Sequence, residues 1–202
     1  MQNTIETLLD DIAEKEWGII PNFLPTKILK MLKQGLLAKQ QQGLFKQAAV
    51  GKAGETQIQT QIRGDETLWW QEQHLNEPQK QYYQNINTLR EALNQAFFLG
   101  LQEFECHYAC YPIGAYYQKH LDSFRKSNSR LISCILYLNE DWLPENGGTL
   151  RIYNNDNQYF TEILPTFGTL VCMRSDTVWH EVLPATRLRY SITGWLRRSE
   201  LL

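Results

Sequence analysis

Residues 103–112 read EFECHYACYP, and they open a succession of strand-like segments that decides the fold. The segments that follow are AYYQKHLD (115–122), RLISCILYLN (130–139), TLRIYN (149–154), YFTEILP (159–165), TLVCMRS (169–175), WHEVLP (179–184) and RYSITGWLRR (189–198). Turn signals separate them, among them PENGG at 144–148 and PTFG at 165–168. Many short strands with no helix between them predict a sandwich or barrel, not a doubly wound parallel sheet.

Upstream of residue 103 the periodicity is helical. MQNTIETLLDDIAEKEW (1–17) predicts a helix capped by Asn3, with Ile5, Leu8, Leu9 and Ile12 as its apolar stripe. WGIIPNFL (17–24) predicts a short strand broken by Pro21, and PTKILKMLKQGLLAKQQQ (25–42) a helix whose stripe is Ile28, Leu29, Leu32, Leu36 and Leu37. Residues 44–68 alternate polar and apolar around GKAG (51–54), which predicts a hairpin or finger ending at the turn Arg63-Gly64-Asp65. EPQKQYYQNINTLREALNQAFFLG (77–100) predicts a long helix with Tyr83, Ile86, Leu89, Leu93 and Phe97 facing inward, stopped by Gly100. With no internal repeat and no Gly-, Ser- or Pro-rich linker, we expect one domain over 1–202: helical support and the finger over 1–102, a β core over 103–197.

The composition narrows the functional classes. Of 202 residues, 43% are hydrophobic and 21% charged, ordinary globular usage, and the net charge of −2 supplies no basic field for nucleic acid or an anionic membrane. The N-terminal stretch is acidic and unlike a signal peptide, and no apolar run is long enough to span a bilayer, so a cytoplasmic location is expected. The cysteines at 106, 110, 134 and 172 are then reduced core residues, since a zinc set built on Cys106 and Cys110 lacks a second pair.

The chemistry concentrates around HLD at 120–122. On a strand, residues i and i+2 share a face, so His120 and Asp122 present an imidazole and a carboxylate side by side. His180 offers a third donor, and two histidines with one carboxylate are the facial triad of non-haem Fe(II) oxygenases, which leaves three coordination positions open. After the turn LPAT, the strand RLRYSITGW carries Arg189, Ser191, Thr193 and Trp195 on one face. A buried arginine beside a metal suits bidentate binding of a carboxylate. Arg187 has the same parity as Arg189, and strand geometry alone does not choose between them. His107 shares parity with Tyr111 and is expected in the core or on the wall of the same pocket, whereas His74 lies in a polar linker.

Taken in order, ACYP, HLD, RLISCILYLNEDW, GGTLRIY, WHEVLPA and RYSITGW resemble the 2-oxoglutarate- and Fe(II)-dependent prolyl 4-hydroxylases of the hypoxia-inducible-factor type and their bacterial relatives. The resemblance covers about 103–197, and the finger ending in IRGD more loosely. It implies an α+β, mainly β chain with a double-stranded β-helix (jelly-roll, cupin-like) core and N-terminal supporting helices. It also implies that His120, Asp122 and His180 ligate Fe(II), that Arg189 pairs with the distal carboxylate of 2-oxoglutarate, and that Tyr111, Tyr137 and Thr193 line that co-substrate's pocket. Arg130 and Trp195 match positions associated with the protein substrate. The implied cofactors are Fe(II), 2-oxoglutarate and O2, with ascorbate as a candidate supporting reductant. The implied reaction is hydroxylation of a prolyl residue in a protein or peptide, a translation factor being one candidate, with release of succinate and CO2.

The stretch SFRKSNS (123–129) and the finger depart from the family pattern, so they bear on which peptide is bound. A free amino acid or another small molecule is the alternative substrate. From other classes, a zinc hydrolase could use the same three ligands, and a catalytically silent metal-binding module could share the fold. The hydrolase leaves Arg189 and the tyrosines without a role.

Overall fold

The computed structural model describes residues 2–49, 59, 61–123, 129–154 and 160–199. In chain order the elements are α1 (Gln2–Lys15), β1 (Trp17–Ile20), α2 (Thr26–Gln41), β2 (Lys46–Gln47), β3 (Glu66–Trp69), α3 (Glu77–Phe97), β4 (Glu103–Tyr111), β5 (Tyr117–His120), β6 (Arg130–Tyr137), β7 (Leu150–Tyr153), β8 (Phe160–Ile163), β9 (Leu170–Arg174), β10 (His180–Val182) and β11 (Arg189–Arg197). Among the described residues, no helix is long and apolar enough to cross a membrane.

The helices form where the apolar spacing places them, with differences at their ends. α1 already includes Asn3, the residue expected to cap it. Pro25, with φ −55° and ψ 139°, occupies the N-cap position of α2 and directs the chain into the helix; Leu29, Leu32 and Leu36 are its buried stripe. α3 starts with a reciprocal cap: the Gln79 amide donates to Asn76 Oδ1 (3.2 Å) and the Asn76 amide to Gln79 Oε1 (2.9 Å). Its fully buried stripe is Tyr82, Ile86, Leu89 and Leu93; the expected Tyr83 and Phe97 pack only partly buried beside it. The stop is not Gly100. Phe98 takes the left-handed conformation (φ 53°), and the Asn94 side chain binds both the amide (2.8 Å) and the carbonyl (2.9 Å) of Leu101.

Among the described residues, the strands make two antiparallel sheets, of seven strands in the order β1-β9-β6-β11-β4-β3-β2 and of four in the order β5-β10-β7-β8. β11 lies mid-sheet, paired with β4 from Arg189↔Tyr111 to Arg197↔Glu103 and with β6 on its other side. Strand alternation sorts its side chains. Tyr190, Ile192 and Leu196 join the layer under the helices, where each fully buried leucine contributes about 2 kcal/mol. The opposite face of the larger sheet meets the smaller one, with Tyr111, Ile135, Tyr137 and Val171 packing against Leu150, Ile152 and Val182. Two facing antiparallel sheets with the helices on one outer side form the double-stranded β-helix expected from the sequence.

The N-terminal part contributes strands as well as helices. β1 pairs with β9 from Trp17↔Met173 to Ile20↔Leu170, and β3 pairs with β4. At the base of the predicted finger, β2 pairs with β3 as Lys46↔Thr67 and Gln47↔Glu66. The GKAG turn and residues 124–128 of the stretch after Asp122 fall outside the described residues.

Candidate metal centre

His120 ends β5 and His180 begins β10, and the two residues are direct partners across the smaller sheet. Their ring centroids stand 4.2 Å apart. Each imidazole holds the backbone carbonyl two residues upstream through Nδ1: His120 to Gln118 at 2.7 Å, His180 to Val178 at 3.0 Å. A carbonyl can only accept, so each Nδ1 carries a proton, and Nε2 is the nitrogen left to meet a metal. Both Nε2 atoms face Asp122, at 3.4 Å from Oδ1 and 3.7 Å from Oδ2 respectively.

Asp122 departs from the strand expectation. β5 stops at His120, and Asp122 sits in the bend beyond it. The carboxylate is brought to the histidines by a bond from Ser133 Oγ (2.6 Å), not by strand alternation. Among the described residues, these three form a group of candidate metal ligands, with donor atoms within 4.8 Å of one another. Neighbouring donors on an ion with bonds of about 2.1 Å lie about 3 Å apart, so a small contraction completes the site. The donor set of two imidazoles and one carboxylate, with both Nε2 atoms turned to the carboxylate, fits Fe(II).

Electrostatics keep the site ready for a cation. Burial, helped by His120, lowers the pKa of His180 to about 4, so its ring is neutral at pH 7. Burial opposes ionisation of Asp122, but the two adjacent imidazoles and the bond from Ser133 outweigh it and hold the carboxyl below its usual range.

Geometry separates the two arginines. Arg189 is 1% exposed and lines a cavity of about 900 Å³ shared with all three candidate ligands. Its Nε donates to the Gly148 carbonyl at 2.9 Å, and its Nη2 is buried without a partner. Gly148 permits this closeness: at φ +67°, a Cβ there would lie 2.8 Å from Ala185 Cβ and 3.3 Å from Arg189 Cδ. Arg187 instead lies exposed outside, donating to the carbonyls of Asp141 and Glu140 at 3.0 and 3.4 Å. The rings of Tyr111 and Tyr137 flank the Arg189 guanidinium at 5.0 Å each. Tyr111 lines the cavity, whereas Tyr137 backs the arginine with its hydroxyl buried and unpartnered. Burial pushes the Tyr137 phenol up to about 12, so it stays a donor. A cation and a phenol left unpaired in one buried place fit a carboxylate. Thr193 also faces the cavity.

At the opposite end of the cavity, Trp69, His107 and Trp195 stand side by side, with His107 ring centroids 4.7 and 5.5 Å from the two indoles. The Arg130 guanidinium covers Trp195 at 3.7 Å and binds Glu105 at 2.7 Å. His107 therefore does line the pocket, while His74 lies apart, bonded to Gln71. All four cysteines are free and buried.

Several contributors escaped the sequence reading. Arg63-Gly64-Asp65 is more than a turn: Arg63 makes two 2.7 Å bonds to the buried Asp65 and lies 4.3 Å over Tyr117, which stacks on His120 at 3.5 Å. The Gly64 amide binds the Tyr116 carbonyl and the Gln118 amide the Ile62 carbonyl, so this segment braces the strand that bears His120. Ser133 and Ser175 were missed entirely, because a buried serine carries no local signal.

Burial of two neutral histidines sets the acid sensitivity of the metal-free protein. Burial lowers His107 to about 3 and His180 to about 4, so between these values and about 6.5 the unfolded chain binds protons that the folded one refuses. Stability thus falls as pH drops, by about 2 kcal/mol per histidine between pH 7 and pH 5. Urea midpoints at the two pH values should show that drop, and His107→Leu should remove roughly half of it. An undiminished drop in the variant would contradict the assignment.

Known proteins with these features can now be compared. The 2OG-Fe(II) oxygenase superfamily matches residues 106–197. Egl nine homolog 1 of Rattus norvegicus is 42% identical over 90 residues, which are 43% of this chain and 26% of that protein, so the match spans about a quarter of the relative's length. A prolyl-4-hydroxylase of Pseudomonas putida superposes with a TM-score of 0.88 at 39% identity, covering 97% of this chain and 100% of that one. A prolyl hydroxylase from Trichoplax adhaerens, in complex with a hypoxia inducible factor oxygen degradation domain peptide fragment, gives 0.87 at 26% identity over 97% and 91% of the two chains. Family match, full-length relative and donor geometry agree: the chain belongs to the 2OG-Fe(II) oxygenase superfamily, whose cofactors are Fe(II), 2-oxoglutarate and O2.

Proposed function

We propose that residues 1–202 act as one oxygenase unit in the cytoplasm, hydroxylating a prolyl residue at C4 in a protein or peptide while 2-oxoglutarate is converted to succinate and CO2. The observation that carries this reading is one cavity with His120, Asp122 and His180 on its wall together with a buried arginine whose Nη2 has no partner. A two-ended ligand spanning metal and arginine answers both needs.

In this reading His120 and His180 hold Fe(II) through Nε2, and Asp122 holds it through a carboxylate oxygen. Fe(II) with bound 2-oxoglutarate supplies the activation of O2 that couples decarboxylation to insertion of oxygen into a C–H bond. The protein's own part is orientation. Arg189, with the Tyr137 hydroxyl, pairs with the distal carboxylate; Tyr111 and Thr193 shape the space between. Arg130 and Trp195, with Trp69 and His107 beside them, receive the substrate at the open end. The peptide held by the Trichoplax adhaerens relative supports a polypeptide ligand there. A net charge of −2 favours neither nucleic acid nor a membrane as partner.

Succinate formation tests the proposal. Protein reconstituted with Fe(II) in air, given 2-oxoglutarate and a panel of proline-containing peptides, including segments of translation factors, should form succinate faster with at least one of them. That peptide should gain 16 Da on proline. Succinate stimulated by a free amino acid and by none of the peptides would replace the polypeptide substrate with a small one.

A further inference from the structure

We infer that Ser175 and Ser133 form a buried hydroxyl relay that fixes the rotation of the Asp122 carboxylate, making Ser133 a positioning residue of the metal centre. The inference rests on the reading of His120, Asp122 and His180 as metal ligands.

The need for such a device comes from where Asp122 sits. Unlike the two histidines it has no place on a strand and no strand partner. The chain beside it is anchored by the Ser123 amide, which binds the Ser175 carbonyl at 3.0 Å. Its side chain is tied by Ser133, from β6 inside the larger sheet, where Ser133 pairs with Trp195 on one side and Met173 on the other. Ser133 Oγ reaches Asp122 Oδ2 at 2.6 Å and Ser175 Oγ at 2.8 Å, and both serines are fully buried.

The direction of the relay follows from chemistry. An ionised carboxylate only accepts, so the Ser133 proton points to Asp122. The Ser133 oxygen then accepts from Ser175, whose proton orients it. Two hydroxyls in series, one from the sheet interior and one from the buried turn that follows β9, give the carboxylate a fixed rotation that a lone bend residue lacks.

The consequence is coordination number. A carboxylate free to turn can chelate an ion through both oxygens and take one of the positions that a bidentate co-substrate and O2 require. With Oδ2 committed to Ser133, Oδ1 is the oxygen left for the ion. Supporting groups of this kind typically change metal affinity by 10–100-fold.

Mn(II) titration followed by electron paramagnetic resonance gives a readout independent of turnover. Wild type should bind one Mn(II), and Asp122→Ala should not. Ser133→Ala should weaken binding by about 10-fold or more while the metal-free protein melts as wild type does, and Ser133→Thr should restore affinity to within about threefold. Ser175→Ala should give a smaller loss of about three- to tenfold, and it carries the test should Ser133→Ala not fold. Wild-type affinity in Ser133→Ala, or in Ser175→Ala where that variant stands in, overturns the relay while leaving the metal centre intact. Equal losses in the alanine and threonine variants at 133 also overturn it, because packing would then be the cause. Wild type that binds no Mn(II) would overturn the metal centre and the relay together.

Discussion

Asp122→Ala protein should form succinate from 2-oxoglutarate at least about 1,000-fold more slowly than wild type, a loss of roughly 4 kcal/mol in the barrier, at any Fe(II) concentration the assay tolerates. The expectation follows from the charge that Asp122 brings to the donor set. Both Nδ1 atoms are protonated against backbone carbonyls, and burial keeps His180 uncharged at pH 7. Asp122 is the carboxylate of the centre, and its removal leaves two imidazoles alone to face a dication in a buried place. A second measurement separates metal loss from misfolding. A ligand that binds only the folded state raises the melting temperature by mass action, so Mn(II) should stabilise wild type and leave Asp122→Ala unmoved, while both melt cooperatively without metal. A variant stabilised by Mn(II) as wild type is would mean that the ion binds elsewhere.

How much of this centre could be read beforehand differs residue by residue. The two histidines were legible because imidazoles are rare in this chain and lie in strand-like segments. What makes them neighbours, the direct register His180↔His120 across β5 and β10, is a tertiary fact. Asp122 was found for a reason that does not hold, since it lies past the end of β5 and owes its orientation to Ser133 on a distant strand. Arg189 and Arg187 share strand parity; the family resemblance favours Arg189, and the carbonyl of Gly148 on one side and those of Glu140 and Asp141 on the other are the physical difference between them. The helices show the same limit. Tyr82 and Tyr83 both fit a helical stripe and both meet the rings of Trp70 and Phe104; what marks Tyr82 as the fully buried one is the further ring of Phe23 packed against it. Local periodicity specified elements and faces; register and bends specified the site.

Arg189→Met should raise the KM for 2-oxoglutarate by more than about 100-fold, with a much smaller change in kcat, because the lost contact is made equally in the ground and transition states. Taking one partner from a buried charge pair costs about 3–5 kcal/mol, which corresponds to a factor of 100 or more in binding. The substitution should not unfold the protein. Without co-substrate, the Arg189 Nη2 is a buried donor with no partner, so an apolar side chain of similar length relieves an unpaired charge and leaves only the Gly148 carbonyl without its bond. Arg189→Lys should lose about tenfold or more, since one ammonium cannot reproduce a planar fork that holds Gly148 and a carboxylate together. Arg187→Met provides the internal control. Its guanidinium lies outside on Trp142, 5.0 Å from the ring, so its KM should stay within about twofold of wild type, as an exposed contact of this kind contributes under about 1 kcal/mol. Calorimetric titration of 2-oxoglutarate into Mn(II)-loaded protein measures the same ranking without turnover. A large loss in Arg187→Met with Arg189→Met unaffected would move the co-substrate out of the cavity and sink the assignment of its closed end.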